Sequence, residues 1–274
     1  MIYGNINERM SGDIDILCNI DDFGKISEYL KSNNYLLIEP YDKFSNIQLK
    51  YTFKHNKHIG FVNKSKRLMI EVHWKLISIN YINNQQIFSI NNLQRNQDNK
   101  ITPESVLHLI IHGTTHKYFR LFWLRDIYHI ARNHPELFEQ LIKLAEKLDG
   151  RKYFVITMNL ISEIFNYEHQ SMNVFQPNKQ ERWMINLCLK YIFNKEREPK
   201  LRNTINNTRY LMNLRDSLLY KAEVLRYIFI QPVDQKLLPL PESLLFLNYP
   251  LGPVYRFIQY IDKRIKWRKI KVTT

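Results

Sequence analysis

The feature that most constrains this fold is a change in apolar periodicity partway along the chain. From residue 12 to about residue 90, apolar residues often alternate with polar ones, which is typical of strands. After residue 101 they recur at helical spacing, beginning with an N-cap, a proline and an acid in Thr102-Pro103-Glu104. The order predicts an α+β protein, with a small mixed-sheet domain at residues 1–95 and an all-helical domain at residues 101–274.

The first region predicts one helix among several strands. We expect a strand from Asp13 to Cys18 and a helix over residues 21–32 that buries a stripe of Phe23, Ile26, Tyr29 and Leu30. Further strands are predicted at residues 35–39, 48–55, 58–63 and 67–75, with a turn at 56–57. In the second region, helices are predicted at residues 103–117, 119–132, 135–148, 152–167, 179–193, 208–229 and 252–269.

Composition excludes several classes of protein. Hydrophobic residues make up 45% of the chain, which is too many for a disordered protein. No window approaches 18 uncharged apolar residues, and the first twelve residues lack the pattern of a signal peptide, so we expect a cytoplasmic protein. Cys18 and Cys188 lie far apart within apolar runs, and we expect buried thiols instead of a disulfide.

The positive charge of the chain is concentrated in its second half. Residues 1–150 contain 19 Lys and Arg against 16 Asp and Glu, whereas residues 151–274 contain 21 against 10. A basic surface attracts phosphate groups of any source, which include nucleotides, nucleic acids and lipid headgroups. The charge alone does not distinguish these ligands.

Two carboxylates on the first predicted strand are the strongest chemical signal. Asp13 and Asp15 are two residues apart, so they face the same side of the strand, about 7 Å apart, while Ile14 and Ile16 face the other. Two such carboxylates repel each other unless a cation lies between them, and their oxygens suit a divalent ion such as Mg²⁺. The alternative is an edge strand with a polar face.

A third acid lies on a later predicted strand. Glu71 and His73 share one face of that strand, while Ile70 and Val72 share the other. If this strand joins the same sheet, Glu71 would complete a two-metal site with Asp13 and Asp15.

These runs together resemble a known family. Arg9, the run from Ser11 to Leu17 and the run from Ile70 to Trp74 are similar to the uncharacterised bacterial nucleotidyltransferases of the DNA polymerase beta superfamily. His112 and His116, followed by the run from Leu121 to Ile127, resemble the opening of that family's helical domain. The similarity extends over roughly residues 3–150.

The resemblance implies roles for individual residues. Asp13, Asp15 and Glu71 would ligate two Mg²⁺ (or Mn²⁺) ions that bind an NTP, with Glu71 favouring deprotonation of the acceptor hydroxyl. Arg9, Ser11 and Gly12 would contact the nucleotide phosphates, although Arg9 could instead anchor the strand. The remaining residues would support the site or bind the acceptor, and these are His73, His112, His116 and Asp126.

One element of the superfamily is expected to be missing. Its members place a strand, a Gly-Ser or Lys-Gly turn that cradles the triphosphate, and a helix before the acidic pair. Only twelve residues precede Asp13, so we expect either a truncated start or a loss of nucleotide binding, and little transferase activity in this form.

The histidines of the first predicted helix of the second region recur every four residues. His108, His112 and His116 therefore line one helix face, which could ligate a transition metal or pack against neighbouring side chains. Asp126 follows Arg125 on the next predicted helix, and the two residues are most simply a buried polar pair.

The last predicted helix is basic and amphipathic. It carries an apolar stripe and seven Lys and Arg between residues 255 and 271. We expect the stripe to dock on the helical domain, and the alternatives are an anionic membrane surface or nucleic acid. The stripe consists of Val254, Phe257, Ile258, Ile261 and Ile265.

Three functions follow from these patterns. The first is transfer of a nucleoside monophosphate from an NTP to the hydroxyl of a small molecule, peptide or protein. The second is a degenerate, non-catalytic nucleotidyltransferase that acts as a binding module. The third is a basic protein that binds nucleic acid.

Overall fold

The fold is described from a computed structural model, which describes residues 13–77, 79, 82, 88, 101–167, 176–193, 200–231, 234, 240–248, 250–258 and 261. These residues form a mixed sheet with helices near the start of the chain and a helical region after it, which confirms the α+β class. The described parts of Gly12–Ser78 and Leu225–Thr274 group into one compact unit, the sheet unit. Those of Ile79–Val224 form the helical unit. The two units are defined by contacts within the chain and are not a test of domain boundaries. The domains at residues 1–95 and 101–274 therefore stay a prediction.

Within the described residues, the sheet has four strands in the order β1-β4-β3-β2. Strand β1 runs parallel to β4, and β3 runs antiparallel to both β4 and β2, so the sheet is mixed as predicted. The strand at residues 58–63 has the predicted bounds, whereas the one expected at residues 35–39 has only two residues. The strands are β1 (Ile14–Leu17), β2 (Leu36–Leu37), β3 (His58–Asn63) and β4 (Leu68–His73).

One face of this sheet is covered by two helices, α1 (Phe23–Ser32) and α2 (Asn46–His55). The ring of Phe23 meets Phe53 of α2 edge-on at 4.9 Å between centroids and Trp74 at 5.9 Å. Their packing leaves the opposite face of the sheet available to polar side chains. The buried core of this unit consists of Cys18, Phe23, Leu30, Tyr35, Ile59, Phe61, Ile70 and Val72.

Tyr29 of the predicted buried stripe is exposed, and so is Ile14 at the start of β1. Ile14 of β1 is 48% exposed and Tyr29 of α1 is 70% exposed. The covered part of β1 begins at Ile16, which packs against the core beside Ile26 of α1. Cys18 and Cys188 are buried free thiols, as predicted.

The strand predicted at residues 48–55 is wrong, because that segment is helix α2. Ser45 starts the helix: its hydroxyl accepts a hydrogen bond from the backbone N–H of Gln48, and its own N–H donates to the Gln48 side chain. This reciprocal capping box satisfies two N–H groups that the first turn leaves without helical partners. Residues 56–57 therefore join a helix to β3 instead of joining two strands.

The helical unit follows the predicted order with one difference. The helix predicted at residues 208–229 is two helices, since the chain breaks between Asn213 and Leu218. Arg215 lies in the break and reaches Asp149, with Nε 2.9 Å from a carboxylate oxygen. The helices are α3 (Pro103–Thr115), α4 (Leu121–Asn133), α5 (Pro135–Lys147), α6 (Arg151–Phe165), α7 (Lys179–Phe193), α8 (Lys200–Asn213) and α9 (Leu218–Phe229). The residues of α9 from Leu225 onward group with the sheet unit.

The last predicted helix is described only in part. Residues 250–258 and residue 261 are helical, and the rest of the range 252–269 lies outside the described residues. Within the part of the chain that the structure describes, no helix is long and apolar enough to cross a membrane.

Candidate functional site

Asp15 and Glu71 lie side by side on the polar face of the sheet. They are register partners on the parallel strands β1 and β4, where Ile16 pairs with Val72. Neighbouring strands lie about 5 Å apart, so this register places two carboxylates at adjacent positions. Val72 and Ile70 point into the core on the other face, which fixes Glu71 on the polar side.

His73 connects the two carboxylates. Its Nε2 lies 3.1 Å from Oδ1 of Asp15 and 3.3 Å from Oε2 of Glu71. Burial lowers the pKa of His73, but the hydrogen bonds to Asp15 and Glu71 together outweigh that effect and raise the pKa above its usual value. The hydrogen bond from His73 likewise holds the pKa of Glu71 below its usual value, against the effect of burial.

His58 is a fourth member of this cluster that the sequence patterns did not single out. It pairs with His73 across the antiparallel strands β3 and β4, and its Nε2 lies 3.5 Å from Oε2 of Glu71. Burial lowers the pKa of His58 to about 4, although the charge of Glu71 opposes this. His58 is therefore a neutral imidazole near pH 7, in which one ring nitrogen carries a proton and the other a lone pair.

Lys57 adds a positive charge beside the acids and was also missed. Burial lowers its pKa, while Glu71 and Asp15 act in the opposite direction. Its carbonyl accepts a hydrogen bond from the N–H of Trp74 at 3.0 Å, which holds it at the end of β4. In the sequence, Lys57 is recognisable only as a residue that precedes a predicted strand. The pairing that brings β3 beside β4, and Lys57 beside the acids, is not visible there.

The donor set can hold a divalent cation. One ligand atom each from His58, Glu71 and His73 lies within 4.8 Å of the others, and Asp15 adjoins them through His73. Two imidazole nitrogens with carboxylate oxygens suit Mn²⁺ and other transition ions, whereas Mg²⁺ prefers oxygen ligands alone. The buried Nδ1 atoms of both histidines have no hydrogen-bond partner.

Four further site residues were predicted in the first region of the chain. Asp13 directly precedes β1, two residues before Asp15, and is partly buried. Arg9, Ser11 and Gly12 lie outside the described residues. The ligand set of Asp13, Asp15 and Glu71 thus stays a prediction, although the structure brings the last two together.

The predicted residues of the second region lie in the helical unit. The rings of His112 and His116 are 4.8 Å apart, and the ring of Trp123 lies 4.7 Å from His112. This arrangement favours ring packing over a shared metal ion for the histidine ladder. Asp126 of α4 is buried.

Comparison with known proteins identifies the family of this chain. A profile of the family described as uncharacterised nucleotidyltransferase matches residues 1–166, which include β1, β4, α3 and α4. Searches of curated proteins and of solved structures gave no significant match. The matched range covers more than half of the chain. This protein therefore belongs to the uncharacterised nucleotidyltransferase family.

Proposed function

We propose that this protein transfers a nucleoside monophosphate from an NTP to an acceptor hydroxyl and releases pyrophosphate. The observation that carries the proposal is the parallel register of Asp15 and Glu71, which sets two carboxylates next to each other on the polar face of the sheet. Membership of a nucleotidyltransferase family supports the same reaction class. The acceptor could be a small molecule, a peptide or a protein.

In this proposal Asp13, Asp15 and Glu71 hold Mg²⁺ or Mn²⁺ in a two-metal arrangement. Such ions neutralise the triphosphate and favour loss of the acceptor's proton. Glu71 remains ionised at neutral pH because its pKa is lowered by the hydrogen bond from His73. His73 is a positioning residue here, since it contacts Asp15 and Glu71 at once and restricts both side chains.

The remaining predicted residues have subsidiary roles in the proposal. Arg9, Ser11 and Gly12 would contact the nucleotide phosphates, with Arg9 alternatively anchoring β1. His112 and His116 would support the helical unit or contact the acceptor, and His116 is exposed enough to do so. Asp126 is buried, which favours support over contact.

A specific observation also favours the second candidate, a non-catalytic binding module. The pKa of His73 is raised, and Lys57 lies close enough for Asp15 and Glu71 to affect its pKa. Positive groups of the protein itself can therefore balance the two carboxylates without a metal ion. A chain that had lost catalysis would keep such a cluster for stability alone.

Pyrophosphate release distinguishes the two candidates. The full chain is incubated with each NTP and Mg²⁺ or Mn²⁺, and Asp15→Asn and Glu71→Gln are compared with Asp22→Asn. Asp22 is a matched control because it is a half-exposed carboxylate whose ion pair with Lys25 spans 3.9 Å. The proposal predicts metal-dependent release that falls at least about 100-fold in the two site variants and persists in the control. Release that is equal in all four proteins would contradict it.

A further inference from the structure

The helix that contains residues 250–258 exposes an apolar stripe. Its four described members are large hydrophobic side chains, and their exposure contradicts the expectation that the stripe docks on the helical domain. Soluble monomers rarely expose a contiguous apolar surface of this kind without a binding role. The exposed fractions are 54% for Val254, 63% for Phe257, 54% for Ile258 and 42% for Ile261.

The opposite face of the same helix is attached to the sheet unit. Arg256 donates hydrogen bonds to the carbonyls of Ile228 at 3.2 Å and Phe229 at 2.9 Å, at the end of α9. Its Nε also lies 3.4 Å from the buried carboxylate of Asp234. Gly252 packs so closely on Asp234 that an added Cβ would lie 2.6 Å from Oδ2.

These contacts fix the direction of the stripe. Gly252 and Arg256 are four residues apart and share one face of the helix. At 100° per residue, the stripe is centred about 180° from that face. The apolar side chains therefore point away from α9 and Asp234, and this orientation explains why they are exposed.

Charge identifies the ligand that fits this surface. The sequence from residue 256 to residue 271 contains seven Lys and Arg and a single acid, Asp262. An apolar stripe followed by a dense run of basic residues is the composition of a segment that lies in the interface of an anionic bilayer. Nucleic acid would use the charge but would leave the exposed stripe unused.

We propose that this helix and the basic segment after it bind the surface of an anionic lipid bilayer. The apolar side chains enter the region between headgroups and acyl chains, and the Lys and Arg side chains contact the lipid phosphates. Arg256 and Asp234 keep the sheet unit attached to the helix while it is bound. This binding is independent of nucleotidyl transfer and does not require the carboxylates of β1 and β4.

Sedimentation with lipid vesicles tests the proposal. The full chain is mixed with vesicles of phosphatidylcholine alone or of phosphatidylcholine and phosphatidylglycerol in equal amounts. We expect binding to the anionic vesicles only, weakened by added salt. The double variant Phe257→Ser with Ile258→Ser should bind at least about tenfold less tightly, because each large apolar side chain contributes roughly an order of magnitude to partitioning.

A matched double variant provides the control. Leu218 and Leu219 of α9 are each 81% exposed, so Leu218→Ser with Leu219→Ser removes a similar apolar surface elsewhere and should leave vesicle binding unchanged. All the substituted residues are at the surface, and circular dichroism checks that each variant is folded. Equal binding by the stripe variant and the wild type would overturn the proposal. Failure to bind anionic vesicles, or binding of duplex DNA with no vesicle binding, would overturn it as well.

Discussion

Asp15 and Glu71 are direct register partners on parallel strands, and the same atom, Nε2 of His73, lies within 3.3 Å of a carboxylate oxygen of each. The backbone thus brings the two acids together, and one imidazole restrains both. Because β1 is held to β4 by the bond from the N–H of Cys18 to the carbonyl of His73 at 2.8 Å, this geometry depends on the end of β4. Side chains that fix that end affect the site indirectly.

Trp74 is such a side chain. Its indole N–H donates to the carbonyls of Phe53 and Asn56, both at 3.1 Å, and so attaches the end of β4 to α2. Trp74→Phe keeps a ring but removes the donor, and we expect a loss of about 1–3 kcal/mol in the free energy of unfolding, measured with urea. Trp183→Phe is the control, because a phenyl ring can still stack with Arg209. A Trp74 variant as stable as the wild type would show that these hydrogen bonds do not hold the strand.

Gly113 is required by the packing of α3. A Cβ at this position would overlap the ring of Tyr118, which is fully buried and hydrogen-bonded to Thr157 at 2.7 Å. Gly113→Ala should therefore lower the free energy of unfolding by at least about 2 kcal/mol. Gly24→Ala is the matched change in α1, where a Cβ meets nothing within 4 Å, and it should be neutral or stabilising by about 0.5–1 kcal/mol. Equal effects of the two changes would refute this account of Gly113.

Lys117 gives the helical unit a specific pH dependence. Its Nζ lies 4.9 Å from the ring centre of Tyr191 and 5.1 Å from that of Tyr210, and burial lowers its pKa to about 8. The unfolded chain keeps this proton up to about pH 10, so it binds more protons than the folded chain between the two values. The contribution of Lys117 to the free energy of unfolding therefore rises with pH across that window.

The comparison of wild type with Lys117→Met isolates this effect, since most other titrations are common to both proteins. The difference in unfolding free energy, wild type minus variant, should increase by up to about 3 kcal/mol between about pH 7 and about pH 10. Urea denaturation at several pH values measures it. A difference that stays constant or decreases would show that the Lys117 pKa is not lowered.

Ser45 caps the N-terminus of α2. Ser45→Ala removes the hydroxyl that accepts from the N–H of Gln48, and we expect a loss of about 1 kcal/mol in the free energy of unfolding. Ser32→Ala is a suitable control, because that exposed hydroxyl lies at the end of α1, where it donates to the carbonyl of Tyr29 and accepts from the side-chain amide of Asn33. If both changes have the same small effect, the capping box does not stabilise α2.

Ser45 also shows where the sequence was ambiguous. Leu49, Tyr51 and Phe53 alternate with polar residues, which is the pattern of a strand. In the structure, Leu49 and Phe53 pack against the core from one helix face, and the capping box at the preceding residues starts the helix. A local capping interaction therefore overrode the alternation.

Local sequence patterns predicted only part of the candidate site. Asp15 and Glu71 stand out because each interrupts an apolar run on a strand, and the family resemblance assigns both to one site. His58 and Lys57 come near through the pairing of β3 with β4, which is a long-range contact that no local pattern contains. The break before α9 likewise involves a long-range contact, since Arg215 in the break bonds to Asp149.

Binding of Mn²⁺ tests the central claim most directly, because it requires no knowledge of the acceptor. Electron paramagnetic resonance measures the free ion during titration of the wild type, Asp15→Asn and Asp22→Asn. The account predicts that the wild type and Asp22→Asn bind Mn²⁺ alike, and that Asp15→Asn binds it at least about tenfold more weakly. Equal binding by all three proteins, or none by the wild type, would contradict the claim that the carboxylates of β1 and β4 hold a metal ion.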